Sequence, residues 1–176
     1  MAHRRRRTRT WVLKDDRLFT LDVFIIGGPM TNRFIKKNKV ICRTIQIRGD
    51  QTLEDLHYAI FDAFKRFEQH MYEFQIGGKG PMDSKARRYV LSGAFKNPMP
   101  GTRRAAGDVT HTAIGSIGLE VNDAFGYWFD FGDDWWHQVN VVDIAEKAGR
   151  GKYPKVTKRV GKSPPQYVDW DKEDGE

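Results

Sequence analysis

Residues 41–67 read ICRTIQIRGDQTLEDLHYAIFDAFKRF, and the reading of this stretch decides the fold class. Ile41, Ile45 and Ile47 share one side of an extended chain with Arg43, and Gly49-Asp50 closes the run, so a strand is expected over about 40–48. Thr52 then offers a hydroxyl to the open amides of a helix start, and Asp55 completes a capping-box pattern. Leu53, Leu56, Ile60, Phe64 and Phe67 recur at steps of three or four and make one apolar face. The spacing predicts the principal helix over about 52–67.

Upstream, Phe19, Leu21, Val23 and Ile25 alternate until Gly27-Gly28-Pro29, which predicts a strand paired antiparallel with 40–48. Downstream, Tyr72, Phe74 and Ile76 alternate into Gly77-Gly78 as a third strand, and residues 89–91 continue the sheet after a basic loop. Residues 92–107, rich in Gly, Pro and Arg, read as a long exposed loop. A short helix over 112–117 is weakened by Gly115 and Gly118. The stretch YWFDFGDDWWHQVNVV, residues 127–142, sets Phe129 and Phe131 against His137, Val139 and Val141 across Gly132-Asp133, the composition of a tight hairpin. The tail from Ser163 starts extended, because Pro164 and Pro165 forbid helix. The expected architecture is therefore α+β: one domain over 11–168, a mainly antiparallel sheet packed on one principal helix, with a basic flexible arm at 1–10 and an acidic frayed tail at 169–176.

The charge is segregated along the chain. Arg4, Arg5, Arg6, Arg7 and Arg9 precede the first acid and supply most of the net +7. Residues 79–104 hold seven bases (Lys79, Lys85, Arg87, Arg88, Lys96, Arg103, Arg104) against Asp83, and residues 150–162 hold six against none. Residues 120–146 hold seven acids and no Lys or Arg. Such blocks give a molecule with distinct electrostatic faces, since mixed charges cancel within a Debye length of about 10 Å. No window approaches the ~18 apolar residues of a membrane span, and the arginine-rich start lacks the apolar run of a secretory leader. The expected location is cytoplasmic, away from membranes. Cys42 is the single cysteine, which rules out an intrachain disulfide and a multi-cysteine zinc site.

Several motifs carry a resemblance: ICRTIQIRGDQTLEDLHYAIFDAF, HMYEFQIGG, FDFGDDWWH, YPKV and SPP occur in order over residues 41–165. In these the sequence resembles the Ri-plasmid open-reading-frame-three-like family, a group that includes a passenger protein of an insertion element labelled a resolvase. The resemblance implies an α+β fold around this helix and sheet and a mobile-element context; it implies little about activity, and no recombinase chemistry is carried over from it. The chain departs from the family pattern at Cys42, where a Trp is usual, at Thr44, where a second Arg is usual, and at residues 163–167, where Ser-Pro-Pro-Gln-Tyr replaces Cys-Pro-Pro-Glu-Asp. A serine recombinase needs an early nucleophilic serine among arginines, whereas the first serine here is Ser84.

Two sets of residues are candidates for function. Asp130, Asp133, Asp134 and His137 carry ligand chemistry for a divalent cation, and His57 and His70, which match the family's histidines, can join them in a metal-dependent hydrolase. Against this, Asp and Gly are ordinary turn residues, a helix histidine beside apolar neighbours usually sits hydrogen-bonded in a core, and no HExxH-like spacing occurs. No metal and no cofactor is therefore expected. GGKG at 77–80 lacks phosphate-loop spacing, and no serine lies in a GxSxG context. The second set is Arg4, Arg5, Arg6, Arg7 and Arg9 with Arg87, Arg88, Arg103 and Arg104, which suit a phosphate backbone. The preferred reading is a non-enzymatic accessory or adaptor domain associated with nucleic acid or with a partner protein that handles it. A protein-interaction module using Trp135 and Trp136 is a third reading, and self-association through the opposite-charge segments is a further expectation.

Overall fold

The computed structural model describes residues 13–172. Eight strands form one sheet: β1 Leu18–Gly27, β2 Cys42–Arg48, β3 Tyr72–Ile76, β4 Arg87–Val90, β5 Gly107–Asp108, β6 Ala124–Phe129, β7 Trp135–Ala145 and β8 Lys155–Val160. Their order is β5-β4-β3-β6-β7-β1-β2-β8. All neighbours are antiparallel except β4 and β5. Among the described residues three α-helices accompany the sheet: α1 Asn32–Lys37, α2 Leu53–Ala63 and α3 Ser92–Lys96. Single 3-10 turns lie at Ile114–Ser116, inside the short helix expected over 112–117, and at Trp170–Lys172, in the segment expected to fray. The fold is α+β, in one domain, as the sequence predicts. No helix among the described residues is long and apolar enough to cross a membrane.

The principal helix starts as expected. Thr52 Oγ1 accepts from the Asp55 amide at 3.1 Å, and Asp55 Oδ2 accepts from the Thr52 amide at 2.8 Å. Leu53, Leu56, Ile60 and Phe64 are buried against a sheet face built from Val23, Ile45, Phe74, Tyr127 and Val139. The helix ends at Ala63, short of 67, because Lys65 turns to a positive φ of 57°. Phe67 therefore leaves the apolar face and is 71% exposed. Buried Arg43 closes this end: Nε donates to the Ala63 carbonyl at 3.1 Å, and the guanidinium lies 4.9 Å over the Phe64 ring.

Three elements depart from the sequence reading. The connection between β1 and β2 contains α1, six residues with none buried, capped by the Thr31 hydroxyl. α3 opens the loop expected over 92–107. β8 pairs with β2 and forms one edge of the sheet, and its side chains are almost all exposed. In the aromatic hairpin, Phe131 lies in the turn rather than in a strand, between Asp130 and Asp134, which both have positive φ.

Candidate functional site

The histidines and aspartates singled out by sequence divide into two places. His57 and His137 lie in the core on either side of Tyr127. The Tyr127 hydroxyl donates to His57 Nδ1 at 2.7 Å, and His57 Nε2 donates to Gln69 Oε1 at 3.0 Å. The His57 ring stacks on Tyr72 at 3.7 Å between centroids. His137 Nδ1 donates to the Tyr127 carbonyl at 3.2 Å, and its ring packs 4.9 Å from Tyr127 and 5.6 Å from Phe64. Burial holds both imidazoles neutral, with pKa values lowered to about 4 for His57 and about 3 for His137. His57 has both ring nitrogens engaged and His137 is only 1% exposed, so neither ring faces solvent.

His70, Asp130 and Tyr167 form the second place. His70 Nε2 lies 2.8 Å from the Tyr167 hydroxyl and 3.4 Å from Asp130 Oδ2. Asp130 Oδ1 accepts from the Gly132 and Asp133 amides, which is turn chemistry. Asp134 accepts from Trp128 Nε1 at 3.0 Å. Among the described residues, no group of three or more His, Cys, Asp or Glu side chains is arranged to hold a metal ion. Trp135 is fully buried, with Gly28 pressed so close to its ring that a Cβ there would collide, so it cannot form the contact surface considered for it.

The arginines at 4–7 and 9 lie outside the described residues. Arg87, Arg88 and Arg103 serve the fold at the β4 edge: Arg87 donates to the Ile117 carbonyl, Arg88 pairs with buried Glu73 at 2.7 Å, and Arg103 donates to the Ala86 carbonyl. Arg104 is exposed and has no hydrogen-bond or ion-pair partner among the described residues.

A larger basic surface forms at the other edge. β8 runs along β2, and Gly161, at φ 72°, lets the chain pass so close to Val40 that any side chain there would strike its carbonyl. The Lys162 amide then donates to Asn38 Oδ1 at 2.9 Å. This places Lys162 beside Lys37 and Asn38 at the end of α1, while Lys158 and Arg159 follow along β8 on its two faces, Arg159 on the side of Arg43 and Lys158 in the row of Thr44 and Asp22; Lys36 and Lys39 lie on α1 and its exit. The five lysines and Arg159 are exposed. None of them enters an ion pair among the described residues. Neither contributing segment, 28–49 or 147–162, contains an Asp or Glu. A hollow of about 310 Å³ lies there, lined by Thr31, Arg33, Phe34, Lys37, Asn38 and Lys162. Inside the edge, the Arg43 pKa is lowered, first by burial and then by the charge of Arg159. Charge counting along the chain picks out residues 150–162 as basic but not Lys36, Lys37 and Lys39. The signal that would find them is the acid-free run from 28 to 49.

A family model described as plasmid pRiA4b ORF-3-like protein matches residues 33–170. The chain belongs to this family. The match takes in nearly all of α1, the whole of α2 and every strand except β1, so both edges of the sheet lie within the region the family shares. Among solved structures, the chain is similar to a protein of unknown function, MM3350 from Methanosarcina mazei Go1, with a TM-score of 0.62 and 19% identity over 87% of this chain and 74% of that one. That likeness supports the fold. No curated protein matches the chain.

Proposed function

We propose that this member of the ORF-3-like family is a non-enzymatic accessory domain that holds nucleic acid, without sequence preference, along the basic edge made by β8 and α1. The observation that carries the reading is that Lys36, Lys37, Lys39, Lys158, Arg159 and Lys162, exposed and drawn from two segments without Asp or Glu, all belong to the β8 edge of the sheet and the α1 end fastened to it. Unpaired cations on a surface attract condensed phosphate, and release of its counterions supplies the binding free energy. An edge strand also presents free backbone amides that add hydrogen bonds to phosphate oxygens. The arginines of residues 4–9 would add to the same electrostatic attraction. Among the described residues no helix is placed for a groove as a recognition helix is, since α2 packs on the core and α1 and α3 are six and five residues long.

A binding role is favoured over hydrolysis because His57 and His137 are buried and neutral, and the Asp130 carboxylate is engaged by the amides of its own turn. The experiment compares two sets of charge reversals by fluorescence anisotropy on labelled single- and double-stranded oligonucleotides. Lys36→Glu with Lys158→Glu and Arg159→Glu should weaken binding at least about tenfold, whereas Arg104→Glu at the far edge should leave it within about twofold. Equal losses from both sets would remove the β8 edge from the account.

A further inference from the structure

At the opposite edge of the sheet lies a groove of about 800 Å³, between the open face of β3, β4 and β6 and the segment that follows α3. From β8 to β4 the sheet spans six strand spacings, roughly 29 Å at about 4.8 Å each, so an occupant here does not compete with one on the basic edge. The lining is apolar: Met71, Phe95, Met99 and Phe131 all stand substantially exposed, Met99 at 74%. Large apolar side chains gathered around a concavity mark a binding surface, and methionines let such a surface adapt to its occupant. The one carboxylate in the groove, Glu73, is already paired with Arg88 at 2.7 Å, which leaves Arg103 and Arg104 as cations on the rim.

We infer that this groove docks a peptide segment of a partner protein in which aromatic or aliphatic anchors are flanked by Asp or Glu. Charge complementarity selects the acidic flanks, since Arg103 and Arg104 remain on the rim once Arg88 has neutralised the one carboxylate, and a guanidinium pairs well with carboxylates. The apolar floor selects the anchors. Trp128 is a poor platform for a nucleobase, because it already stacks on Trp136 at 4.8 Å and 7° between planes and packs against Phe131 at 4.1 Å. A small polar ligand is poorly served, because Glu73 and Arg88 already bond each other and Arg103 donates to the Ala86 carbonyl. With nucleic acid on one edge and an acidic peptide on the other, the domain would join two partners, and the peptide site stands whether or not the nucleic-acid reading does.

The test selects a displayed library of random peptides of about ten residues on the full chain, with Met99→Asp and Arg104→Glu as separate counter-targets. Both substitutions fall on exposed side chains, so melting temperatures should not move. Enriched peptides should carry Asp or Glu beside Trp, Phe, Leu or Met, and a labelled representative should bind either variant at least about tenfold more weakly by anisotropy. Enrichment of neutral or basic peptides, no enrichment, or undiminished binding to both variants would overturn the inference. So would a concentration-dependent dimer abolished by Met99→Asp, which would give the groove to a second copy, or an oligonucleotide displaced by the same change.

Discussion

The amide of Lys162 donates to Asn38 Oδ1 at 2.9 Å across 124 residues of sequence, and this bond fastens the end of β8 to the end of α1. The same asparagine donates from Nδ2 to the Phe34 carbonyl at 3.0 Å, so one side chain both closes the short helix and holds the neighbouring strand. With the β2–β8 pairing, it sets the spacing of cations drawn from two separate segments.

Asn38→Ala removes two hydrogen bonds at a partly exposed site. It should cost about 1 to 2 kcal/mol in urea melts. It should also weaken oligonucleotide binding while leaving every charge in place, because the α1 lysines would no longer be registered against β8. A variant that loses neither stability nor affinity would show that α1 is positioned by something else.

Phe64 and Phe67 separate packing from periodicity. Both fall on the helical spacing, but Phe64 is fully buried and Phe67 is 71% exposed beyond the end of α2. Phe64→Ala should cost about 3 to 5 kcal/mol, and Phe67→Ala less than about 1 kcal/mol. Denaturant melts of the two variants check the difference, and similar losses would extend the helix to 67.

Acid should destabilise the fold through its buried histidines. An unfolded histidine titrates near 6.5, whereas His57 and His137 titrate at about 4 and about 3 in the fold. Between those values the unfolded chain binds protons that the native state refuses, so stability is full above about pH 6.5 and falls as pH drops toward 4. Each histidine contributes a slope of up to about 1.4 kcal/mol per pH unit. Melting temperatures should fall steadily from pH 7 to pH 4.5, and His57→Gln should lessen the fall. A flat profile over that window would mean that these imidazoles are open to solvent.

The elements legible in sequence are those whose cause is local. Thr52 and Asp55 announce the helix start three residues apart, and alternation marks β1, β2, β3 and β7. The end of α2 is not legible because Lys65 takes a positive φ without a glycine to signal it. β8 is not legible because Val156 is its single residue packed against the core, amid Lys155, Lys158 and Arg159, and its existence rests on hydrogen bonds to β2 more than a hundred residues away. The candidate site shares that property. His57, Tyr127 and His137 are plain in the sequence as residues, but their mutual engagement follows from the β6–β7 register and the docking of α2. The basic edge likewise needs the β2–β8 pairing before residues 36–39 and 158–162 become neighbours.

The salt dependence of oligonucleotide binding tests the central claim most directly. Anisotropy of the full chain on a duplex, read as log affinity against log salt, should give a steep line. Replacing Lys158, Arg159 and Lys162 by glutamine should lessen its slope by about 2 to 3 units, close to 0.9 for each phosphate no longer neutralised. A slope unchanged by those substitutions, or no binding even at low salt, would contradict the account and leave the bases of β8 with the role of guarding an exposed strand edge against pairing.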